Sequence, residues 1–218
     1  MALADGTTQD FSVARDVRGL AVTFGLLGLV IAGFVVSLIT GPSSLSVGAG
    51  LSALFVDTGG PETVVMREIR LPRAVLGAFV GAALGLSGAA MQGLLRNPLA
   101  EPGLIGVSAT AALGAVIALQ TGIAAAFALA LPAFALIGAG VAVSGRLLLA
   151  GPRGSSLGLI LAGIAISALA AAGTSWELNL SPTPFAVAEI MFWLMGSLAD
   201  RSWTHVWRAA PLILVGGV

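Results

Sequence analysis

Charge is distributed along this chain in bursts separated by long silent stretches. No charged residue falls between Gly19 and Val56, between Ala74 and Leu95, between Pro102 and Gly145, or between Gly154 and Trp176. A membrane-crossing helix needs about 20 predominantly apolar residues. The first, second and fourth windows each hold one such helix, and the third is long enough for two with a break near Gln120-Thr121-Gly122. The pattern predicts spans over 20–40, 74–95, 103–121, 123–147 and 156–175. Gly41-Pro42 ends the first. A last apolar run, 206–218, holds about a dozen residues, too few to cross a bilayer core; it reads as the start of a truncated sixth span. The expected fold is therefore all-α, a polytopic transmembrane helix bundle of about five complete spans plus part of a sixth. No low-complexity linker divides 1–218, which is read as one domain.

Composition agrees. The chain is 57% hydrophobic and only 9% charged over 218 residues, against about 25% charged in a soluble domain. Too little polar surface remains to cover a water-soluble globule. All ten basic residues are arginines, balanced by ten acids, so net charge points to neither nucleic acid nor a polyanionic substrate. Without lysine there is no P-loop and no Schiff-base chemistry. Without cysteine there is no disulfide, thiolate metal site or cysteine nucleophile. The polar N-terminus MALADGTTQDFSVARDVRG lacks the pattern of a cleaved signal peptide. Arginines near the span ends divide equally between the two sides, so the positive-inside count does not set orientation. No charge lies mid-span, which argues against ion-coupled transport; a transporter of this kind draws its energy from a separate partner.

Several local patterns stand out. Gly77, Gly81 and Gly85 form GxxxGxxxG on one face of the second span, a helix-packing face that lets backbones approach closely. In Asn97-Pro98-Leu99-Ala100-Glu101-Pro102 two prolines four residues apart forbid a continuous helix and force an ordered turn. This is either a rigid connection between antiparallel spans or a structured constriction at the mouth of a pathway. Gly85-Leu86-Ser87-Gly88 matches the GxSG of intramembrane serine proteases, but a nucleophilic serine needs a base in hydrogen-bond reach. The lone histidine, His205, stands between Trp203 and Trp207, as in an aromatic belt. An intramembrane hydrolase using Ser87 and a non-transporting membrane scaffold remain alternatives. Arg70-Leu-Pro-Arg73 precedes the second span, with Pro72 expected at its first turn. These arginines are either interfacial anchors or contacts for a partner.

From Ile69 to Ser108 the sequence IRLPRAVLGAFVGAALGLSGAAMQGLLRNPLAEPGLIGVS resembles the membrane permease subunits of bacterial ABC importers for iron–siderophore complexes, haem and vitamin B12, the FecCD/BtuC-like type II importers. The family's R-L-P-R, G-A-x-L-x-x-S-G-x-x-x-Q and N-P-L-A-x-P-x-x-x-G-V-S segments follow one another without gaps. Leu159–Ala165 and Phe192–Leu198 with Trp203 agree in order. The resemblance implies ten spans, so this sequence reads as stopping inside the sixth, before the loop that couples to the ATPase. It also implies a homodimer in the lipid of the bacterial cytoplasmic (inner) membrane, a cytoplasmic ABC ATPase dimer, and a periplasmic or lipoprotein substrate-binding protein. The chain itself would be no enzyme and hold no cofactor; ATP and Mg would bind the ATPase. Function would be import of a metal chelate (iron–siderophore, haem or cobalamin) by alternating access, with the N-terminus cytoplasmic. By the same resemblance Arg70 and Arg73 would dock the binding protein. Asn97 and Leu99, with Ser155 and Ser156, would form the cytoplasmic gate. Thr174, Ser175 and Trp176, where the fifth span would break outward, would line the periplasmic gate and pathway, beside the segment Pro184–Leu198.

Overall fold

In the computed structural model the described residues are 5–41, 43, 45–57, 59–151 and 155–217, with side chains from Arg18 onward, Leu104 excepted. Pro42 and Arg153 lie outside them. Helices run in the order α1 (Asp5–Ile39), α2 (Val47–Phe55), α3 (Pro61–Val64), a π-helical stretch (Val65–Arg70), α4 (Leu71–Leu95), a 3₁₀ turn (Pro102–Ile105), α5 (Val107–Gln120), α6 (Ile123–Ala126), α7 (Ala130–Ala150), α8 (Ser156–Asn179), α9 (Pro184–Met195) and α10 (Trp203–Gly216). There is no strand among the described residues. Four helical stretches are long and apolar enough to cross a membrane: 18–39, 61–95, 130–150 and 156–179. The chain is a multi-pass membrane protein by this measure. Contacts divide it into two compact units, one of residues 1–80 with 198–216 and one of 81–197.

The second span begins earlier than expected. Pro72 is not its first turn; helix runs unbroken from Pro61 to Leu95 and Pro72 is buried inside it. Proline within a helix lacks an N–H and crowds the carbonyl four residues back. The π-helical stretch absorbs this. Leu71 N–H reaches Met66 O, five residues back, so in the same register the residue at 72 would serve Arg67 O. Pro72 cannot, and the Trp203 indole Nε1 donates to Arg67 O instead at 2.9 Å. Trp203 also packs with Leu76, Val206 and Ala210, which ties α10 to α4 within the first unit.

In the second unit α5 is the centre. Ala115, Val116 and Ala118 are 0% exposed, enclosed by α7 and α8. The third span, expected from residue 103, forms α-helix only from Val107 because Gly106 takes φ +82° between the 3₁₀ turn and α5. The expected break at Gln120-Thr121-Gly122 is present, with Gly122 at φ +73°. Helix resumes in full at Ala130, after the short α6.

The glycine repeat behaves unevenly. A Cβ at Gly77 would stand 3.3 Å from Leu198 Cδ1, whereas Gly81 and Gly85 have nothing within 4 Å among the described residues. The tight helix contact lies elsewhere: Gly114 of α5 abuts the Phe134 carbonyl of α7, and Gly138 of α7 abuts the Thr110 carbonyl of α5.

Candidate functional site

Three arginines at i, i+3 and i+6 on one helical stretch, Arg67, Arg70 and Arg73, organise one end of the first unit. A helix leaves its last four carbonyls without intrahelical donors, and the end of α1 shows how each is met. Thr40 N–H and Oγ1 take Val36 O. Arg73 Nη2 donates to Ser37 O and to Thr40 O, both at 3.0 Å. Arg70 Nη1 donates to Leu38 O at 3.0 Å and Ile39 O at 2.7 Å. Its Nη2 reaches Ser43 O at 3.2 Å and Ser43 Oγ at 2.7 Å. Arg67 Nε donates to Ala53 O near the end of α2; its ion pair with Asp57, at 3.9 Å and largely solvated, adds little. Cationic side chains also suit the negative ends of the α1 and α2 dipoles.

This placement bears on the expectation that both arginines meet a partner. Arg70 is 3% exposed, and its two Nη atoms already make four hydrogen bonds. A Cβ at Gly41 would fall 2.9 Å from Arg70 Nε and Nη2, so glycine there is what admits the guanidinium. A cavity of ≈ 10 Å³ adjoins it, lined by Leu38, Met66 and Gly50 among others, room for one water. Arg70 is a buried helix cap in this conformation. Arg73, half-buried, keeps part of its surface free.

At one end of the second unit the turn after α4 is built by hydrogen bonds that the sequence motif only implied. Arg96 takes φ +48°; its N–H reaches Gly93 O and the Asn97 N–H reaches Gln92 O, the paired bonds of a Schellman cap. Asn97 Oδ1 then accepts from Leu99 N–H at 3.0 Å. The result projects Leu99, 82% exposed, and buries Ala100 with Met91 and Leu95 against Leu159 and Ile160 of α8. Ser155 caps α8, its Oγ accepting from Gly158 N–H at 3.1 Å; Ser156 follows, exposed. The turn holding Asn97 and Leu99 thus packs against the opening turns of the helix that Ser155 and Ser156 begin. Because a non-glycine residue in the left-handed region costs about 1–2 kcal/mol, Arg96→Gly should stabilise the protein by about 1 kcal/mol, read as a higher unfolding midpoint.

The other end of α8 departs from expectation. Thr174, Ser175 and Trp176 do not mark a break; helix continues regularly to Asn179. Ser175 O accepts from Asn179 Nδ2, and Gln120 Nε2 of α5 donates to Glu177 O at 2.6 Å. Trp176 stands 69% exposed. The chain turns instead at Leu180–Thr183, where Thr183 Oγ1 caps α9 by accepting from Ala186 N–H. An open cavity of ≈ 310 Å³ lies nearby, lined by Leu119, Gln120, Ala125, Leu131, Glu189 and Ile190 among others, with Glu189 as its one charged group.

Residues 29–218 match the FecCD transport family. The chain belongs to that family. It is 41% identical to the cobalamin import system permease BtuC of Halobacterium salinarum over 72% of this chain and 43% of that protein. It is 37% identical to the vitamin B12 import system permease BtuC of Salmonella paratyphi A over 92% of this chain and 58% of the relative. A solved metal-chelate type ABC transporter in an inward-facing conformation superposes with TM-score 0.71 at 33% identity, covering 88% of this chain and 57% of that one. The chain thus spans about half the length of the relatives it matches.

Within this FecCD chain the turn that holds Asn97 and Leu99 packs, through Ala100, on Leu159 and Ile160 of the helix that Ser155 caps, and Arg70 and Arg73 share the end of α1. Sequence reasoning passed over Arg67, Gly41 and Ser43. Arg67 was legible as the third member of an i, i+3, i+6 series; Gly41 read only as part of the stop after the first span, since its contact is with a guanidinium 29 positions away. Ser87 Oγ donates to Leu84 O of its own helix at 3.1 Å. His205 accepts from Ser202 N–H at Nδ1 and faces Arg201 at Nε2, a capping role at the start of α10. Neither is arranged as half of a nucleophile–base pair.

Proposed function

We propose that this chain is the permease subunit of a binding-protein-dependent ABC importer in the bacterial cytoplasmic membrane. Its cargo is a metal chelate: cobalamin, haem or an iron–siderophore complex. Two copies form the pathway, a separate cytoplasmic ATPase dimer supplies the energy by binding ATP and Mg, and a periplasmic or lipoprotein binding protein delivers the cargo. The observation that carries this reading is the FecCD match through residues 29–218, joined to relatives named as cobalamin import permeases. The uncharged spans suit the cargo, because a wall without fixed charges does not trap a chelate in transit. Asn97 and Leu99 with Ser155 and Ser156 form the cytoplasmic gate in this reading, and Leu99, projecting from a rigid turn, is its apolar stopper. Thr174, Ser175 and Trp176 face the pathway at the outer end of α8.

Two measurements test it. The full-length protein, expressed with its ATPase and binding protein, is expected to restore growth of uptake-deficient cells on at least one of the three chelates. Failure on all three, with no ATPase co-purifying, rejects the importer reading. Docking of the binding protein is proposed at Arg73, whose half-free guanidinium suits a carboxylate on the partner. Arg73→Glu should weaken capture of the binding protein about tenfold or more, the scale of an interfacial charge pair, while insertion is preserved. Unchanged capture places docking elsewhere.

A further inference from the structure

The first charge-free window is too long for the span it contains. It runs from Gly19 to Val56, well beyond the roughly 20 residues of one crossing. The crossing ends with α1 at Ile39, yet the silence continues through the whole of α2 and breaks only at Asp57. A nine-residue uncharged helix, VGAGLSALF, therefore fills the part of the window that the span does not use.

Contacts within the first unit fix the level of α2. A Cβ at Gly50 would stand 3.5 Å from Met66 Sδ, and Ala53 shares a buried cluster with Met66. Ala53 O accepts from Arg67 Nε at 3.0 Å. The closing carbonyls of α1 are met by Arg70, three positions further along the same helical stretch. Three helical residues advance about 4.5 Å, so the end of α2 lies within about one turn of the level at which the first span stops. Val47 and Leu51 line the small cavity beside Ile39 and Arg70, which puts the start of α2 at that level too. The helix lies at the membrane boundary.

Its two sides differ. Gly50 and Ala53 are buried; Val47, Leu51 and Phe55, spaced by four and so on one face, are 51%, 39% and 85% exposed. The hydroxyls of the helix are turned back on its own backbone. Ser46 Oγ accepts from Ala49 N–H at 3.3 Å, and Ser52 Oγ donates to Ala49 O at 3.0 Å. An exposed apolar stripe marks a contact with protein or with lipid. The silent window decides between them, because a protein footprint carries a polar rim whereas a bilayer excludes charge.

We propose that α2 is an interfacial helix whose Val47–Leu51–Phe55 face is seated in lipid at the junction of headgroups and acyl chains. Helices in that position bury their apolar side about 5–10 Å deep. The proposal goes beyond the importer reading and holds whatever the cargo is.

The 218 residues contain no cysteine, so a spin label can be placed at one position at a time. Val47→Cys, Leu51→Cys and Phe55→Cys are each made in the full-length protein, with any cysteine beyond residue 218 replaced by serine. Each carries a nitroxide and is reconstituted in vesicles of phosphatidylethanolamine and phosphatidylglycerol. Power saturation then reads contact with oxygen, which concentrates in lipid, and with a water-soluble nickel chelate. Asp57→Cys, at a side chain 69% exposed, is the aqueous reference. All three labels are expected to show high oxygen and low nickel contact, at a depth of about 5–10 Å. Nickel contact equal to that of Asp57→Cys puts the face in water. Low contact with both reagents puts it under protein, a second copy or another segment. Either result overturns the proposal. Because the three positions share one face, a label that disturbs folding at one leaves two to decide.

Discussion

Replacing Arg70 by alanine is expected to destabilise the protein by about 3 kcal/mol or more, because buried carbonyls stripped of a charged donor cost about 1–3 kcal/mol each. Leu38 O, which is buried, and Ile39 O and Ser43 O, which are part-buried, would all lose it. Arg70→Lys should recover only part of that, since one ammonium cannot present the planar fork that reaches three acceptor residues. The decisive variant is Gly41→Ala. Its added methyl would meet Arg70 Nε and Nη2 at 2.9 Å, and the guanidinium is pinned by four hydrogen bonds and cannot step aside. Gly41→Ala should therefore reproduce most of the Arg70→Ala loss, yet do almost nothing in an Arg70→Ala background. Unfolding midpoints of the two single variants and the double variant make a thermodynamic cycle. Additive losses would show that Gly41 and Arg70 act independently and that the cap is not what glycine protects. Arg73→Glu also removes the bonds to Ser37 O and Thr40 O, so its unfolding midpoint is read beside capture of the binding protein. A loss of capture beyond the loss of midpoint is what assigns docking to Arg73.

The helical class was readable from charge spacing alone, because a bilayer tolerates charge only at its edges and the silent windows record where the edges are. Boundaries were less readable wherever a proline or glycine acts through tertiary context. Pro72 reads locally as a helix start; it sits mid-helix because a π-turn absorbs its ring and Trp203, more than a hundred residues later, supplies the donor its neighbour lacks. Thr174–Trp176 invite a break only through resemblance, and nothing in their own chemistry stops a helix, so α8 runs on to Asn179. For the candidate site, Asn97-Pro98-Leu99 announced an ordered turn, and the structure adds that Asn97 makes the turn while Leu99 is what it displays. The role of Arg70 was hidden for a different reason. An arginine before a membrane span looks the same in sequence whether its acceptors are a partner's carboxylates or the carbonyls of a helix end, and only the fold says which are within 3 Å.

Glycine is where pattern and structure part most sharply, and it sets the second large expected effect. Gly138→Ala should cost about 2–3 kcal/mol or prevent folding, the scale of overpacking a filled core, and Gly114→Ala should behave alike. At each position the new methyl would be driven into a backbone carbonyl of the facing helix, Thr110 O or Phe134 O, and a backbone inside two packed helices has no rotamer to escape into. The seam is reciprocal, each helix lending one glycine to the other's carbonyl, which lets Cα–H groups of the two helices approach opposing oxygens. No repeat on either helix advertises it, since the two glycines lie on different segments and pair only in space. Gly81 and Gly85, which do form a repeat, have nothing within 4 Å of an added Cβ among the described residues. Gly81→Ala and Gly85→Ala should therefore be neutral or stabilise α4 by up to about 1 kcal/mol through helix propensity. Unfolding midpoints of all four variants in the full-length protein decide the matter, with self-association followed alongside. A tolerated Gly138→Ala together with a damaging Gly81→Ala would reverse the assignment and make the repeat the tight seam. A loss at Gly81 or Gly85 confined to the self-associated form would instead place a second copy of the chain on that face.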